Sequence, residues 1–314
     1  MAMAIDQTQG GLTYGTFGLG IHGNGPGSVT QQVHDGDTVN VRAIGNFSVR
    51  FLGIDTPEVS FTLPGSTQFR SINDERWEVF LTDPFAAALP PLNLDAALKG
   101  NLLSRLGSGA ATNHADHAAA AHRALEQEIQ NDIVARGLTK EDVQFFAAFT
   151  REIVDRYGRL LGWLNISDQS ATRPQDYNTR MLKMGFATPY FIWPNVDPWR
   201  SQGSLLQAVK PPTPFRQEAN AAGKLRDART AVAQARTSRI GIFAASAPLR
   251  IHAFELRFLA QRRAPDRWVI NLGSNDSTLL KPQNYHTVVN VEDRLFIPED
   301  HLALFEQAGW HKQP

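Results

Sequence analysis

Four acidic residues lie close together within residues 33–58 of the chain. Asp35 and Asp37 belong to the run VHDGD, and Asp55 and Glu58 belong to the run DTPE. Carboxylates that crowd together raise one another's pKa unless a cation lies between them. The simplest such cation is a hard metal ion with oxygen ligands, such as Ca²⁺ or Mg²⁺.

Three side chains could carry out phosphodiester hydrolysis beside such a metal. A carboxylate that is not a metal ligand can orient or deprotonate a water molecule, and Glu58 fits this role. Arg50 and Arg159 carry planar, permanently charged guanidinium groups that match phosphate oxygens. On residue types alone, the alternative is a buried ion-pair network at strand ends that contains Asp37, Asp55 and Arg50.

Two strand pairs are predicted to position these residues. Segments 38–44 and 47–54 alternate in polarity around a Gly-Asn turn, which predicts an antiparallel hairpin that brings the acids together. A second antiparallel pair is predicted within 143–166, joined by an Asp-Arg-Tyr-Gly turn. Arg159 is then the first residue of the returning strand.

Hydrophobic periodicity and turn residues predict the other elements. Strands are predicted at 28–34 and 190–193, helices at 94–106, 118–136, 176–185 and 215–239 and shortly after Asp300, and a hairpin at 254–273. His114, Asp116 and His117 fall just before the second of these helices. They are interpreted as solvated residues at a helix start, and a metal site is the alternative.

Composition restricts the class of protein. The chain has 314 residues, 31 basic and 31 acidic residues and no cysteine, which excludes disulfides, thiol catalysis and a strongly basic surface over the whole molecule. No apolar run is long enough to span a membrane, so no membrane partner is expected. No signal peptide is visible at the N-terminus, which predicts a cytoplasmic protein, or a secreted one if the sequence is a mature or trimmed form.

Three blocks resemble, in this order, the signature blocks of the staphylococcal nuclease-like (thermonuclease) family. They read VHDGDTV, VRFLGIDTPE and DRYGRLLGWL. The resemblance implies a mainly β plus α fold, in which helices pack on an OB-type five-stranded barrel. It also implies Ca²⁺-dependent hydrolysis of phosphodiester bonds in DNA and/or RNA, with Ca²⁺ preferred over Mg²⁺ or Mn²⁺.

The resemblance also assigns roles to residues of the three blocks. Asp37, Asp55 and the carbonyl of Thr56 would bind the metal, with Asp35 as an acid behind these ligands. Glu58 would activate water, while Arg50 and Arg159 would stabilise the phosphate. Contacts to the rest of the nucleic acid would come from Arg156, Tyr157 and Tyr190.

The predicted organisation has three parts. A glycine-rich arm at 1–27 precedes a nuclease-like OB-fold domain at 28–248, which carries a helical and irregular insertion at about 62–112. Residues 249–314 form a small α+β extension or module. Two alternatives to an enzyme are a catalytically silent OB-fold module that binds nucleic acid and a structural module stabilised by calcium.

Overall fold

The computed structural model describes residues 5–7, 13–15, 17–33, 40–43, 45–46, 48–139, 141–155, 158–167 and 174–314. The chain divides into two compact units. The first comprises Met1–Phe51 and Ala147–Trp163, and the second comprises Leu52–Phe146 and Leu164–Pro314. The described residues form a mixed α/β structure whose strands make sheets of two, three and four strands without a closed barrel. The mixed fold class is therefore confirmed, and the five-stranded barrel stays a prediction.

Short strands and helices alternate along the chain. The strands are β1 (Ile5–Gln7), β2 (Thr13–Gly15), β3 (Phe17–Leu19), β4 (Ile21–His22), β5 (Gly25–Pro26), β6 (Val41–Ala43), β7 (Val49–Phe51), β8 (Gly53–Asp55), β9 (Ser60–Thr62), β10 (Phe69–Ser71), β11 (Phe145–Val154), β12 (Leu160–Ile166), β13 (Thr188–Ile192), β14 (Trp268–Asn271), β15 (Thr278–Leu279), β16 (Arg294–Ile297) and β17 (His311–Lys312). The α-helices are α1 (Val29–Gln32), α2 (Glu75–Thr82), α3 (Ala96–Leu103), α4 (Ala110–Ala135), α5 (Tyr177–Lys183), α6 (Leu205–Ala208), α7 (Pro212–Asn220), α8 (Lys224–Thr237), α9 (Ala253–Gln261) and α10 (Leu302–Gln307). In the part of the chain that the structure describes, no helix is long and apolar enough to cross a membrane.

Strand pairing in the first unit differs from the predicted hairpin. Strand β6 pairs antiparallel with β3 of the glycine-rich arm. Strand β7 pairs in parallel with β12, with Arg50 opposite Leu161, and β11 lies on the other side of β12. The predicted pairing of 38–44 with 47–54 is therefore wrong for these strands, because each finds its partner in a distant segment.

The predicted strand at 28–34 is wrong as well, because most of this segment is helix α1. The hydroxyl of Ser28 accepts a hydrogen bond from the Gln31 backbone N–H at 3.4 Å. The Gln31 side chain accepts one in return from the Ser28 N–H at 2.9 Å. This reciprocal capping box favours a helix start and outweighs the alternating polarity of the segment.

A four-stranded sheet in the second unit has the order β14-β16-β13-β8. Strand β8 is antiparallel to β13, so that Asp55 lies opposite Thr188. Strand β13 is parallel to β16, which is antiparallel to β14. Two of the four strands therefore come from the C-terminal segment 249–314.

One hydrophobic core joins the predicted insertion to the C-terminal segment. Trp77, Leu98 and Leu102 from the insertion belong to the same buried cluster as Leu256 and Leu259 from α9, and all five are completely buried. Burying five large apolar side chains supplies about 1.5–3 kcal/mol of hydrophobic stabilisation per side chain. The second unit therefore depends on both segments.

The other element predictions have mixed outcomes. Helix α3, strand β13 and helix α10 lie where they were predicted, and α5 begins directly after Asp176, the first residue of the predicted helix. The predicted helix at 215–239 is divided into α7 and α8 by residues 221–223, where glycine, a poor helix former, ends an Ala-Ala-Gly run. The predicted hairpin at 254–273 is wrong, because helix α9 precedes the single strand β14.

Replacement of Leu295 tests the role of β16 in the second unit. Leu295 is completely buried in this strand, between β13 and β14. Leu295→Ala is expected to lower the free energy of unfolding by about 2–5 kcal/mol, because it removes buried apolar contacts and leaves a cavity. Urea denaturation followed by circular dichroism measures the change. Val289→Ala is the control, since Val289 is 83% exposed, and equal stability of the two variants would contradict this sheet order.

Candidate active site

Asp55 ends the buried strand β8 and is itself completely buried, with 0% of its surface exposed. Two residues of the same motif follow directly. Thr56 is half-buried, and Glu58 keeps 23% of its side chain exposed. Hydrogen bonding between β8 and β13 fixes the end of the strand, so the motif starts from a rigid backbone.

The guanidinium group of Arg257 in α9 holds both acids. Its Nη1 donates to Asp55 Oδ1 at 3.0 Å, and its Nη2 donates to Asp55 Oδ2 at 2.8 Å. The same Nη1 donates to Glu58 Oε1 at 2.6 Å. Burial would lower the pKa of Arg257, but the charges of Asp55 and Glu58 raise it above its ordinary value. Arg257 therefore stays charged and neutralises the buried Asp55.

Sequence reasoning missed Arg257 because its segment was predicted to be a hairpin. One signal was present in the sequence: Glu255 and Arg257 interrupt the otherwise apolar run from Phe254 to Leu259. A charged residue on an otherwise apolar helix face requires a buried partner. Helical periodicity, with Phe254 and Phe258 four residues apart, would have placed Arg257 on such a helix.

A buried ion network fixes helix α9 and thereby Arg257. Glu255 is 1% exposed and accepts hydrogen bonds from Arg105 at 2.8 and 2.9 Å and from the Tyr285 hydroxyl at 2.7 Å. It also accepts one from the His252 N–H at the start of α9. Burial alone would raise the pKa of Glu255, but the charge of Arg105 holds it below its usual range. The insertion, through Arg105, therefore positions the helix that carries Arg257.

His114 holds the backbone of Glu58. Its Nε2 accepts a hydrogen bond from the Glu58 N–H at 2.8 Å, and its Nδ1 donates to the carbonyl of Ile251 at 3.1 Å. Burial lowers the pKa of His114 to about 4, so the ring is neutral at pH 7. The interpretation of His114 as a solvated residue is wrong, because it is completely buried within α4.

Tyr190 lies on β13, the neighbour of β8. Its hydroxyl accepts a hydrogen bond from Arg267 Nη1 at 2.7 Å, and its ring stacks on Phe254 with the centroids 5.3 Å apart. Burial raises the pKa of Tyr190, while the charges of Arg267 and Arg257 act in the opposite direction. The ring that was predicted to face a nucleotide therefore packs against α9.

The two predicted phosphate-binding arginines belong to the first unit. Arg50 lies on β7, opposite Leu161 of the adjacent strand β12. Arg159 directly precedes β12, and its Nε donates to Asp155 Oδ2 at 2.8 Å across the turn. Asp55, Thr56, Glu58 and Tyr190 belong to the second unit. The remaining predicted residues, Asp35, Asp37, Arg156 and Tyr157, lie outside the described residues.

Asp55 and Glu58 have the donor chemistry of a calcium site. Hard oxygen donors of this kind are the ligands that Ca²⁺ prefers, and both carboxylates lie within hydrogen-bond distance of one Arg257 nitrogen. Over the described parts of the chain, no group of three or more Asp, Glu and His residues is arranged to hold a metal ion. By the resemblance of the sequence blocks, Asp55 and the Thr56 carbonyl would be metal ligands, and the third predicted ligand, Asp37, lies outside the described residues.

The two buried histidines predict how stability depends on pH. Burial lowers the pKa values of His114 and His252 from 6.5 to about 4, so between these pH values the unfolded chain binds more protons than the folded one. As the pH decreases from 6.5 to 4, each of the two histidines should therefore lower the free energy of unfolding by up to about 1.4 kcal/mol for each pH unit.

His114→Asn tests this pH dependence by removing one of the two groups. The variant should show a shallower fall in the free energy of unfolding than the natural chain, measured by urea denaturation at a series of pH values. His122→Asn is the matched control in the same helix, because 64% of the His122 side chain is exposed. Identical pH profiles for the natural chain and His114→Asn would contradict the assignment of a buried, neutral ring.

Comparisons with known proteins find no match: no protein-family model, no curated protein and no solved structure is similar to the chain. The nuclease-like interpretation therefore depends on the three sequence blocks and on the arrangement around Asp55. Within this arrangement, the structure brings Asp55 and Glu58 together on Arg257. It adds His114 as the residue that fixes the backbone of Glu58.

Proposed function

We propose that the chain is a metal-dependent nuclease that hydrolyses phosphodiester bonds of DNA and/or RNA, with Ca²⁺ as the cofactor in preference to Mg²⁺ or Mn²⁺. The observation that carries this proposal is the pairing of Asp55 and Glu58 on one guanidinium. Asp55 and Glu58 are thereby held side by side, but Asp55 is buried and Glu58 is partly exposed. Two carboxylates in different environments can take two different roles in one reaction.

The burial of the two acids suits two different roles. Asp55 is completely buried and already binds one cation, the Arg257 guanidinium, through both oxygens, so its carboxylate is fixed in a place that accepts positive charge. Glu58 keeps 23% of its side chain exposed and can reach a water molecule. His114 fixes the backbone of Glu58, which limits the positions that its carboxylate can take. Glu58 is therefore the proposed general base.

The proposed hydrolysis assigns each step to residues of the chain. Glu58 orients a water molecule and accepts its proton as the water oxygen bonds to phosphorus. The bond between phosphorus and the leaving sugar oxygen breaks, and that oxygen takes a proton from solvent. A bound Ca²⁺ would polarise a phosphate oxygen as a Lewis acid. Arg50 and Arg159, by the resemblance, would stabilise the negative charge of the phosphate.

The fold and the substrate contacts belong to the same proposal. An OB-type five-stranded barrel within residues 28–248 would carry the site, and Arg156, Tyr157 and Tyr190 would contact the nucleic acid outside the bond being cleaved. The support for both is the resemblance of the three sequence blocks. A crystal structure with a bound nucleotide would test the barrel and the contacts together.

A catalytically silent nucleic-acid-binding module is the second candidate, and one observation favours it. The Arg257 guanidinium neutralises Asp55 through two hydrogen bonds of 3.0 and 2.8 Å. A module that had lost catalysis could keep its acids in such an ion pair. Binding of single-stranded DNA or RNA without cleavage in any metal would distinguish this candidate from the nuclease.

Glu58→Gln tests the role of Glu58 in the proposed reaction. The purified chain is incubated with single-stranded DNA and with RNA in Ca²⁺, Mg²⁺, Mn²⁺ or chelator, and the products are resolved by electrophoresis. The natural chain should cleave only with metal. Glu58→Gln should lower the turnover number by about 10²- to 10⁴-fold with little change in substrate binding, because an amide cannot accept the proton.

Glu126→Gln is the control for the loss of one negative charge, since Glu126 lies on α4 with 67% of its side chain exposed. This variant should cleave as fast as the natural chain. Cleavage by Glu58→Gln at the natural rate would refute the role of Glu58 as the general base. Absence of cleavage by the natural chain in all three metals would refute the proposed function itself.

A further inference from the structure

Arg257 occupies the position next to Asp55 where a divalent cation would be expected. Its two terminal nitrogens each bond one oxygen of the Asp55 carboxylate, and one of them also bonds Glu58. A bidentate pair of a guanidinium and a carboxylate is one of the strongest charge-assisted contacts in proteins. Both oxygens of Asp55 are therefore engaged by a cation that belongs to the chain itself.

Helix α9 holds Arg257 in place before any ligand binds. Glu255, two residues earlier on the helix, is anchored by Arg105 and Tyr285 in the core. The Arg257 side chain is 23% exposed, and its carboxylate partner Asp55 is completely buried. Little conformational entropy remains to be lost when the guanidinium binds the acids, so the ion pair is preorganised.

The charges of these three residues determine how strongly a second cation would be attracted or repelled. Asp55 and Glu58 together carry two negative charges, and Arg257 neutralises one of them. A divalent cation at Asp55 would lie within a few ångströms of the guanidinium, and two positive charges this close repel each other. The ion could bind both oxygens of Asp55 only after the guanidinium had released them.

We propose that Arg257 is a resident cation that competes with a divalent metal ion for Asp55, so that metal binding requires Arg257 to leave at least one oxygen of this carboxylate. The inference rests on the proposed function, because it takes Asp55 as the metal ligand. It adds that the metal affinity of Asp55 is limited by Arg257, a residue of the C-terminal segment. At low metal concentration the guanidinium neutralises Asp55, and at high metal concentration it releases this carboxylate to the metal ion.

Arg257→Gln tests the competition directly. Glutamine keeps a hydrogen-bond donor for Asp55 but removes the positive charge, so Ca²⁺ should bind about tenfold or more tightly than it binds the natural chain. Isothermal titration calorimetry of the full chain with Ca²⁺ alone measures the dissociation constant. Unchanged or weaker binding in a folded Arg257→Gln variant would overturn the proposal.

Two further variants complete the experiment. Arg257→Lys keeps the charge but loses the planar fork, so its Ca²⁺ affinity should lie between those of the natural chain and Arg257→Gln. If circular dichroism shows Arg257→Gln to be unfolded, no gain in affinity for Arg257→Lys overturns the proposal. Arg229→Gln is the matched control, because Arg229 forms a similarly buried ion pair with Asp293 and should leave Ca²⁺ affinity unchanged. An equal gain in Arg229→Gln would also overturn it.

The readout separates this proposal from the proposed function. Tighter Ca²⁺ binding by Arg257→Gln, without cleavage of nucleic acid by any form of the chain, would refute the nuclease and support the competition. Metal-dependent cleavage by the natural chain, with the same Ca²⁺ affinity in every variant, would support the nuclease and refute the competition.

Discussion

A carboxylate with no exposed surface must be neutralised, and this requirement at Asp55 organises the second unit. Burial of an unpaired charge costs several kcal/mol, so Asp55 can end a buried strand only if a cation reaches it. Arg257 provides that charge from α9. The position of α9 depends in turn on Glu255 and on Arg105 from the insertion. The predicted insertion and the C-terminal segment thus complete the ion pair of the buried Asp55.

Local signals in the sequence were sufficient where an element depends on its own residues. Helix α5 begins at Asp176, whose side chain accepts the Thr179 N–H, and the chain leaves the helix at Gly185 with a φ of 72°. Both features can be read from residue types alone. The short distance between Asp55 and Glu58 could also be predicted. Glu58 lies only three positions after Asp55, the last residue of β8, so their side chains stay close.

Non-local partners could not be predicted in the same way. The alternating pattern of 47–54 indicates a strand but does not say which strand it pairs with, and β7 pairs with β12 from more than 100 positions along the chain. His114 lies in an alanine-rich helix that gives no sign of burial, and only its contacts to Glu58 and Ile251 reveal its function. The ion pair of Asp55 was foreseen as an alternative, but with Arg50 rather than Arg257 as the partner, because periodicity at 254–273 was interpreted as a hairpin.

The separation of Asp55 and Arg257 by 202 positions has a consequence for synthesis of the protein. A ribosome makes the chain from its N-terminus, so the motif acids are exposed to the cell long before their counter-charge exists. Strand β8 cannot bury Asp55 in its final environment during this interval, and it also lacks β16 on the far side of β13. The second unit therefore matures only after nearly the whole chain has been translated. A nascent or truncated chain that ends before α9 would therefore present Asp55 and Glu58 without their counter-charge.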